Sequence, residues 1–320
     1  MLGRVAIVVV NYRTAELAVE CLRSLAAEVV DLPESRVVVV DNASGDGSAE
    51  RIAGAIASER WGDWAILLPL GRNGGFSAGN NAALRSSLGQ TTPPDWFLLL
   101  NPDTVVRAGA VRALLERAVE RASIGIVGSR LEEPDGTLQR SAFPFLSVRT
   151  ELDRALRLGV VSRLLSSWSA APSGDAACRV DWVSGASMLI RREVIDSIGL
   201  LDEGYFLYFE EVDFCLRAAR AGWECWYEPR SRVVHLVGQS TGVDPSDSIR
   251  RLPRYVFDSR RRYFVKNHGA TYARLVDLAW IMGHVAWRVR MRIQRRNAPV
   301  APRLLRDFAR YGALLARGRL

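Results

Sequence analysis

The sequence predicts an α/β protein: an open, mostly parallel central sheet with helices on both faces, followed by a helical, arginine-rich C-terminal extension. Three observations carry this reading. Apolar runs alternate with stretches of helical spacing across the first 122 residues, as expected of strands buried on both faces. Each run exits into polar residues, so the strand tips gather at one edge of the sheet. The charge also divides along the chain, an acidic body preceding a basic tail. The spacing sets a first domain over 1–245 and the extension over 246–320.

The elements follow in order. VAIVVV (5–10) is a strand, and Leu17, Cys21, Leu22 and Leu25 give 14–28 the spacing of a helix. RVVVVD (36–41) is the second strand and 48–57 a short helix. WAILLPL (64–70) is the third strand, followed by a Gly/Asn loop and a helix over 77–88. WFLLL (96–100) is the fourth, with a helix over 108–122. Beyond 123 the alternation weakens. IGIVGSRL (124–131) is a strand, and EEPDGTLQ (132–139) carries a Pro-Asp-Gly turn. The segment 141–180 has no clear period, with a mobile loop expected around APSGDAA (171–177). Strand then helix are expected over 182–199, a helix within 205–223 that stops at Gly222, and final strands over 223–229 and 232–238. In the tail, RLLRDFARYGALLARG (303–318) sets Leu304, Leu305, Phe308, Tyr311 and Leu315 opposite most of its arginines, the pattern of a basic amphipathic helix.

Composition narrows the function. No run reaches the ~18 apolar residues of a membrane span; the longest candidate, 275–289, carries Asp277 and His284. VAIVVV lacks a small-residue cleavage site, so it reads as a strand rather than a signal peptide, and a cytoplasmic location is expected. Four cysteines without CxxC spacing indicate reduced thiols, not a disulfide or zinc framework. Between 250 and 320, seventeen arginines and Lys266 face three aspartates, a local excess of +15 within a total of +8. Such a tail suits an anionic partner, membrane or nucleic acid. The acidic body and the lack of regularly spaced aromatics argue against nucleic acid.

Five stretches carry chemistry. In FLLLNPDT (97–104) a buried strand ends on Asn101-Pro102-Asp103, where a carboxylate at a strand tip suits Mg²⁺ or Mn²⁺; the plainer reading is an Asn-Pro-Asp turn. In VDNASGDGS (40–48), Asp41 follows a strand and can accept from a base or ribose, or serve only as a turn residue. LGRNGGFSAGNNAAL (70–84) could let backbone approach a nucleotide, although GxGxxG spacing is absent and an ordinary strand-to-helix loop is the favoured reading of this stretch by itself. In YFLYFEEVDFCLR (205–217), Glu210, Glu211 and Asp213 open a helix whose dipole favours negative charge. One of them can take a proton from a hydroxyl, while Asp213 and Arg217 are spaced to pair. His235 interrupts the strand RVVHLVG as a metal-type imidazole or as a core histidine.

In this order the stretches VVVNYRT (8–14), VVVVDNASGDGS (37–48), GRNGGFSAGNNAAL (71–84), LLLNPDT (98–104), the run from Val183 to Trp223 and VVH (233–235) resemble family 2 glycosyltransferases of the GT-A fold. Within that family the stretches resemble the bacterial rhamnosyltransferases of cell-wall and O-antigen assembly. The resemblance implies an inverting, metal-dependent transfer from a nucleotide-diphosphate sugar, dTDP-rhamnose or a UDP-sugar, to a glycan or polyprenyl-diphosphate-linked acceptor. It implies Asn11, Asp41, Asn73, Asn101 and Asp103 at the nucleotide sugar, and Asp103 and His235 at a Mg²⁺ or Mn²⁺ ion. Glu211 falls at the catalytic base, with Asp213 as alternative, and Trp182, Gly185 and Glu210 at the acceptor. Asn101 stands where relatives carry the first acid of DxD, which removes one charge from the metal site and leaves an inert, nucleotide-sugar-binding protein as the alternative. A base of ordinary carboxylate strength then implies late proton transfer. The tail is expected to dock on anionic lipid through 246–320, at the inner face of the cell membrane, or to form a homodimer contact. A processive synthase with membrane spans and QxxRW, a nucleotidyltransferase with a phosphate loop near residue 10, and a dehydrogenase with GxGxxG each lack their signature here.

Overall fold

Valine dominates the first two strands because β-branched side chains are stiff and fit a pleated surface packed on both sides. The structure, a computed structural model, describes residues 2–32, 34–158, 175–236, 250–296 and 299–314. Strands β1 (Val5–Asn11), β2 (Arg36–Asp41), β3 (Ala65–Pro69) and β4 (Trp96–Leu100) pair in parallel in the order β3-β2-β1-β4. Their inner residues alternate between two cores. Val5, Ile7 and Val9 face Leu22 and Leu25 of α1 (Ala15–Asp31), Ile52 of α2 (Ser48–Ser58) and Leu114 of α4 (Ala110–Val119). Ala6, Val8 and Val10 face Leu84 of α3 (Gly75–Leu88), Val194 of α6 (Arg192–Ile198) and Phe214 of α7 (Glu210–Arg220).

Past β4 the sheet is mixed. Strand β11 (Ser187–Arg191) runs antiparallel between β4 and β6 (Ile124–Glu132). Strand β12 (Glu224–His235) lies parallel to β6, and antiparallel to β5 (Thr104–Val106) and β9 (Cys178–Val180). The parallel reading thus holds for the N-terminal half, where helical crossovers join the strands, and gives way past β4, where β11 enters between β4 and β6 in the opposite direction. The two strands expected over 223–238 are one, broken in register between Glu228 and Arg232. The turn after β6 forms a hairpin to β7 (Leu138–Gln139), and β8 (Ala142–Phe143) pairs with β10 (Trp182–Val183). Segment 141–180 also holds α5 (Val148–Leu156), opened by a capping box between Ser147 and Thr150. Most of the loop expected around 171–177 lies outside the described residues, as does the boundary set at 245/246. All four cysteines are free.

Three helices follow: α8 (Arg254–His268), α9 (Ala270–Ile293) and α10 (Leu304–Tyr311). The first two share a third core with α7 and the loop before it, in which Tyr205, Val212 and Leu216 meet Tyr263, Phe264 and Val276. Buried Arg260 of α8 bridges Glu151 of α5, at 2.8 Å, and Asp277 of α9. The helix expected over 303–318 stops at Tyr311, because Asp277 accepts from the Ala313 N–H and a side chain at Gly312 would strike the same carboxylate. Its apolar side is turned inward, with Phe308 stacked on Trp280 at 4.1 Å. Leu315 and Arg317 lie outside the described residues.

Candidate active site

Asn11 and Asp41 end neighbouring parallel strands in register, so pairing alone sets them side by side at the carboxyl edge, where open α/β sheets bind ligands. The Asn11 amide donates to Asp41 Oδ1 at 2.8 Å and to Ser44 Oγ at 3.2 Å. Ser44 donates to Asp41 through its hydroxyl at 2.6 Å and its backbone N–H at 3.1 Å. This is turn chemistry, yet Asp41 also lines a cavity of ≈ 470 Å³ with Ala43, Gly45, Gly47, Ser48 and Leu70. The two readings of Asp41 are therefore compatible, since the turn fixes a carboxylate that borders open space.

Asn42 ties this loop to the next. Its amide donates to Asn73 Oδ1 and to the Gly75 carbonyl, both at 3.0 Å, and Asn73 Oδ1 accepts from the Gly75 N–H at 2.9 Å. Gly75 has φ +84°, and a Cβ there would stand 2.0 Å from the Phe206 carbonyl oxygen. Only glycine allows the Phe76 N–H to reach that oxygen at 2.8 Å. The start of α3 is thereby locked to the loop that leads into α7.

At the tip of β4, Asn101, Asp103 and His235 converge. Antiparallel pairing sets His235 opposite Thr104, and the Leu236 N–H donates to the Asp103 carbonyl at 2.9 Å. Gln139 donates its amide to the His235 carbonyl at 2.7 Å, and its Oε1 lies 3.2 Å from His235 Nδ1. An amide oxygen only accepts, so Nδ1 carries the proton in the neutral ring and Nε2 keeps its lone pair. That Nε2 lies 3.3 Å from the Asn101 amide nitrogen and 3.5 Å from Asp103 Oδ1. One carboxylate and one imidazole lone pair at a single point fit a divalent cation. Among the described residues no third acid, histidine or cysteine joins them. The described residues thus offer two such ligands, which suits an ion that shares its coordination with ligand phosphates.

Glu211 stands on the first turn of α7. The two residues before the helix, Tyr208 and Phe209, are left-handed at φ +69° and +71°. For aromatic residues that backbone is strained by about 1–3 kcal/mol each, and such outliers cluster at functional sites. Glu211 is half-buried in the wall of a ≈ 630 Å³ cavity that Trp182, Tyr208, Val256, Trp280 and His284 also line. Its Oε2 has no hydrogen-bond partner among the described residues. Burial pushes its carboxyl up to about 7. Glu210 is more deeply buried and lies outside the cavity lining; burial and then the Glu211 charge push its carboxyl well above the usual range. The expectation of a base of ordinary strength is thus corrected: the environment of Glu211 strengthens it.

The remaining residues divide. Trp182 stacks on Phe143 at 4.3 Å and is fixed by donation to the Pro144 carbonyl at 2.8 Å. Gly185 lies against Glu211, whose Cβ is 3.7 Å from where a glycine substituent would sit. The next residue, Ala186, accepts from the Asn101 N–H at 3.1 Å, so one short loop joins the base position to the β4 tip. Asp213 is committed elsewhere. It accepts from Lys266 and Asn267 at 2.8 Å, from Arg217 at 3.0 Å and from Tyr205 at 3.2 Å. Burial would raise its carboxyl, but these donors hold it low. The geometry therefore favours Glu211 over Asp213. Sequence reading set Asn42 at a strand tip without a role of its own and missed Ser44, although both sit in a turn-rich stretch behind a strand. It also missed Trp280 and His284 at the cavity, where no motif signals them.

A model of the family described as glycosyltransferase like family 2 matches residues 3–257. The N-acetylglucosaminyl-diphospho-decaprenol L-rhamnosyltransferase of Mycobacterium tuberculosis is 28% identical over 300 residues, which covers 88% of this chain and 89% of its own. The low-salt glycan biosynthesis hexosyltransferase Agl10 of Haloferax volcanii is 29% identical over 223 residues, 69% of this chain and 63% of its own. Among solved structures, the mannosyltransferase PcManGT of Pyrobaculum calidifontis, in complex with GDP-Man and Mn²⁺, is similar at TM-score 0.56 and 17% identity, over 96% of this chain and 80% of that one. That last likeness is one of fold, and it bears out the GT-A architecture. Family model and fold agree, and the chain belongs to the glycosyltransferase like family 2.

Proposed function

We propose that the protein is an inverting, metal-dependent rhamnosyltransferase that moves rhamnose from dTDP-rhamnose to a hydroxyl of a lipid-linked glycan in cell-envelope assembly. The observation that carries the mechanism is the half-buried carboxylate of Glu211 at the wall of a cavity, with its Oε2 without a hydrogen-bond partner among the described residues. The relative from Mycobacterium tuberculosis supports the choice of sugar and of a polyprenyl-diphosphate acceptor. The Mn²⁺ bound by the mannosyltransferase supports a divalent cation, Mg²⁺ or Mn²⁺.

In this reading Asn11, Asp41 and Asn73 border the nucleotide, with Asp41 at the base. Asp103 and His235 would hold the cation, which neutralises charge on the departing diphosphate. Asn101 keeps the pocket polar without adding charge. Trp182 and Gly185 shape the acceptor side, and burial alone keeps the carboxyl of Glu211 raised. Glu211 accepts the proton of the acceptor hydroxyl as its oxygen bonds to C1 of the sugar. The bond from C1 to the diphosphate oxygen breaks on the opposite face, so configuration inverts. A base matched to neutral pH suits this task. The reaction takes place at the inner face of the membrane, where such a carrier lipid is reached.

Glu211→Gln tests the assignment. Rhamnosyl transfer falls at least 1000-fold, while the thermal shift given by dTDP-rhamnose with Mn²⁺ stays within a degree of the parent's. Turnover within tenfold of the parent removes Glu211 from the role. A parent chain that dTDP-rhamnose fails to stabilise, with or without metal, removes the donor.

A further inference from the structure

A surface helix normally turns one apolar face to the core and a polar face to water; α9 carries apolar residues on both. Its inner face packs Val276, His284 and Trp287 into the protein. Its outer face carries Leu275, Leu278, Met282, Val285, Val289 and Ile293, each between 43% and 77% exposed. Their spacing of three and four residues keeps them in one narrow stripe along a helix of 24 residues.

We infer that this stripe is the surface by which the protein lies on an anionic lipid bilayer. Charge decides between occupants. Arg274, Arg288 and Arg292 are exposed on α9, and Arg295 and Arg296 just beyond its end. The only acid in α9, Asp277, is buried beneath Arg260. The exposed side is thus an apolar strip edged by cations without a counter-charge of its own. A second copy laid along it would oppose arginine to arginine. A bilayer rich in acidic headgroups offers both what the apolar strip and what the guanidiniums need. No helix of the described residues is long and apolar enough to cross a membrane, so α9 lies in the interface. The assignment also moves the contact from the expected helix over 303–318, whose Phe308 is turned inward, to α9.

The inference deepens the proposed function and rests on its lipid-linked acceptor. Trp280 and His284 of α9 line the cavity that holds Glu211. Seating the outer face on lipid brings that cavity to about one helix diameter, roughly 10 Å, from the bilayer surface, within reach of a headgroup-linked sugar.

The test is sedimentation of the full chain with vesicles of phosphatidylglycerol and phosphatidylcholine, or of phosphatidylcholine alone. The parent binds the acidic vesicles at least tenfold more tightly, and loses that preference in high salt. Leu278→Glu/Val285→Glu binds them at least tenfold more weakly, with an unchanged circular-dichroism melt and an unchanged thermal shift by dTDP. If the double variant misfolds, Arg288→Ser/Arg292→Ser takes its place, with a fivefold loss expected. Equal binding by a folded variant overturns the inference, as does a parent that ignores acidic vesicles. A parent that light scattering finds dimeric, and that the double variant turns monomeric without any vesicle binding, assigns the stripe to a second copy instead. Rhamnosyl transfer to a water-soluble acceptor, measured without lipid, separates the two readings: its loss sinks the proposed function alone.

Discussion

At the scale of the residue, Glu211 couples chemistry to stability. Its carboxyl is raised to about 7 by burial, so the folded chain holds its proton more tightly than the unfolded chain. That stabilisation is complete below the ordinary carboxyl range near 4.5 and is lost as pH rises through about 7. Glu211→Gln removes the ionisable group. Urea denaturation should find the variant more stable than the parent by roughly 1–3 kcal/mol at pH 8 and equal to it at pH 4. A difference that does not change with pH would mean that Glu211 is not raised. Little of this was legible in the sequence. Three acids opening a helix were plain, and so was the spacing of Asp213 to Arg217. What separates Glu211 from Asp213 is Lys266 and Asn267, more than fifty residues away, and no local pattern carries that.

At the scale of the element, Gly75 is the joint between the loop after β3 and the loop before α7. Gly75→Ala meets both a positive φ and a backbone oxygen 2.0 Å away. The substitution should destabilise the chain by about 2–4 kcal/mol in urea denaturation and weaken dTDP binding at least tenfold by calorimetry. A near-neutral variant would show that the joint is loose. The first four strands and their helices were readable because buried parallel strands are unbroken apolar runs. Strand β5 escaped because three residues carry no period, and because it follows directly on Asp103. The single strand β12 was read as two because its register break falls at Pro229, which resembles a strand end. The described part of 141–180 stayed opaque because its strands are two or three residues long and α5 leans on the C-terminal helices.

At the scale of the whole molecule, Arg260 fastens the C-terminal helices to the catalytic body. It spans Glu151 and Asp277, and all three are at most 8% exposed. Arg260→Met leaves two buried carboxylates without their cation, and should lower stability to urea by about 3–5 kcal/mol. A loss below 1 kcal/mol would mean that the apolar contacts of α8 and α9 hold the helices by themselves. The sequence revealed the charge of this region and its helicity. It did not reveal which apolar faces were inward, because α9 and α10 both show stripes and only packing tells them apart.

Strand β12 carries a longer consequence. It runs unbroken in space from Glu224 to His235 and meets β6, β9 and β5 on its way. The gap between the His235 ring and the Asp103 carboxylate is therefore gauged by ladder rungs rather than by the reach of two side chains. Side chains along the strand can drift while that gauge stays true. A single codon gained or lost near Pro229 would turn the imidazole to the opposite face, and would disarm the β4 tip without altering any residue in it.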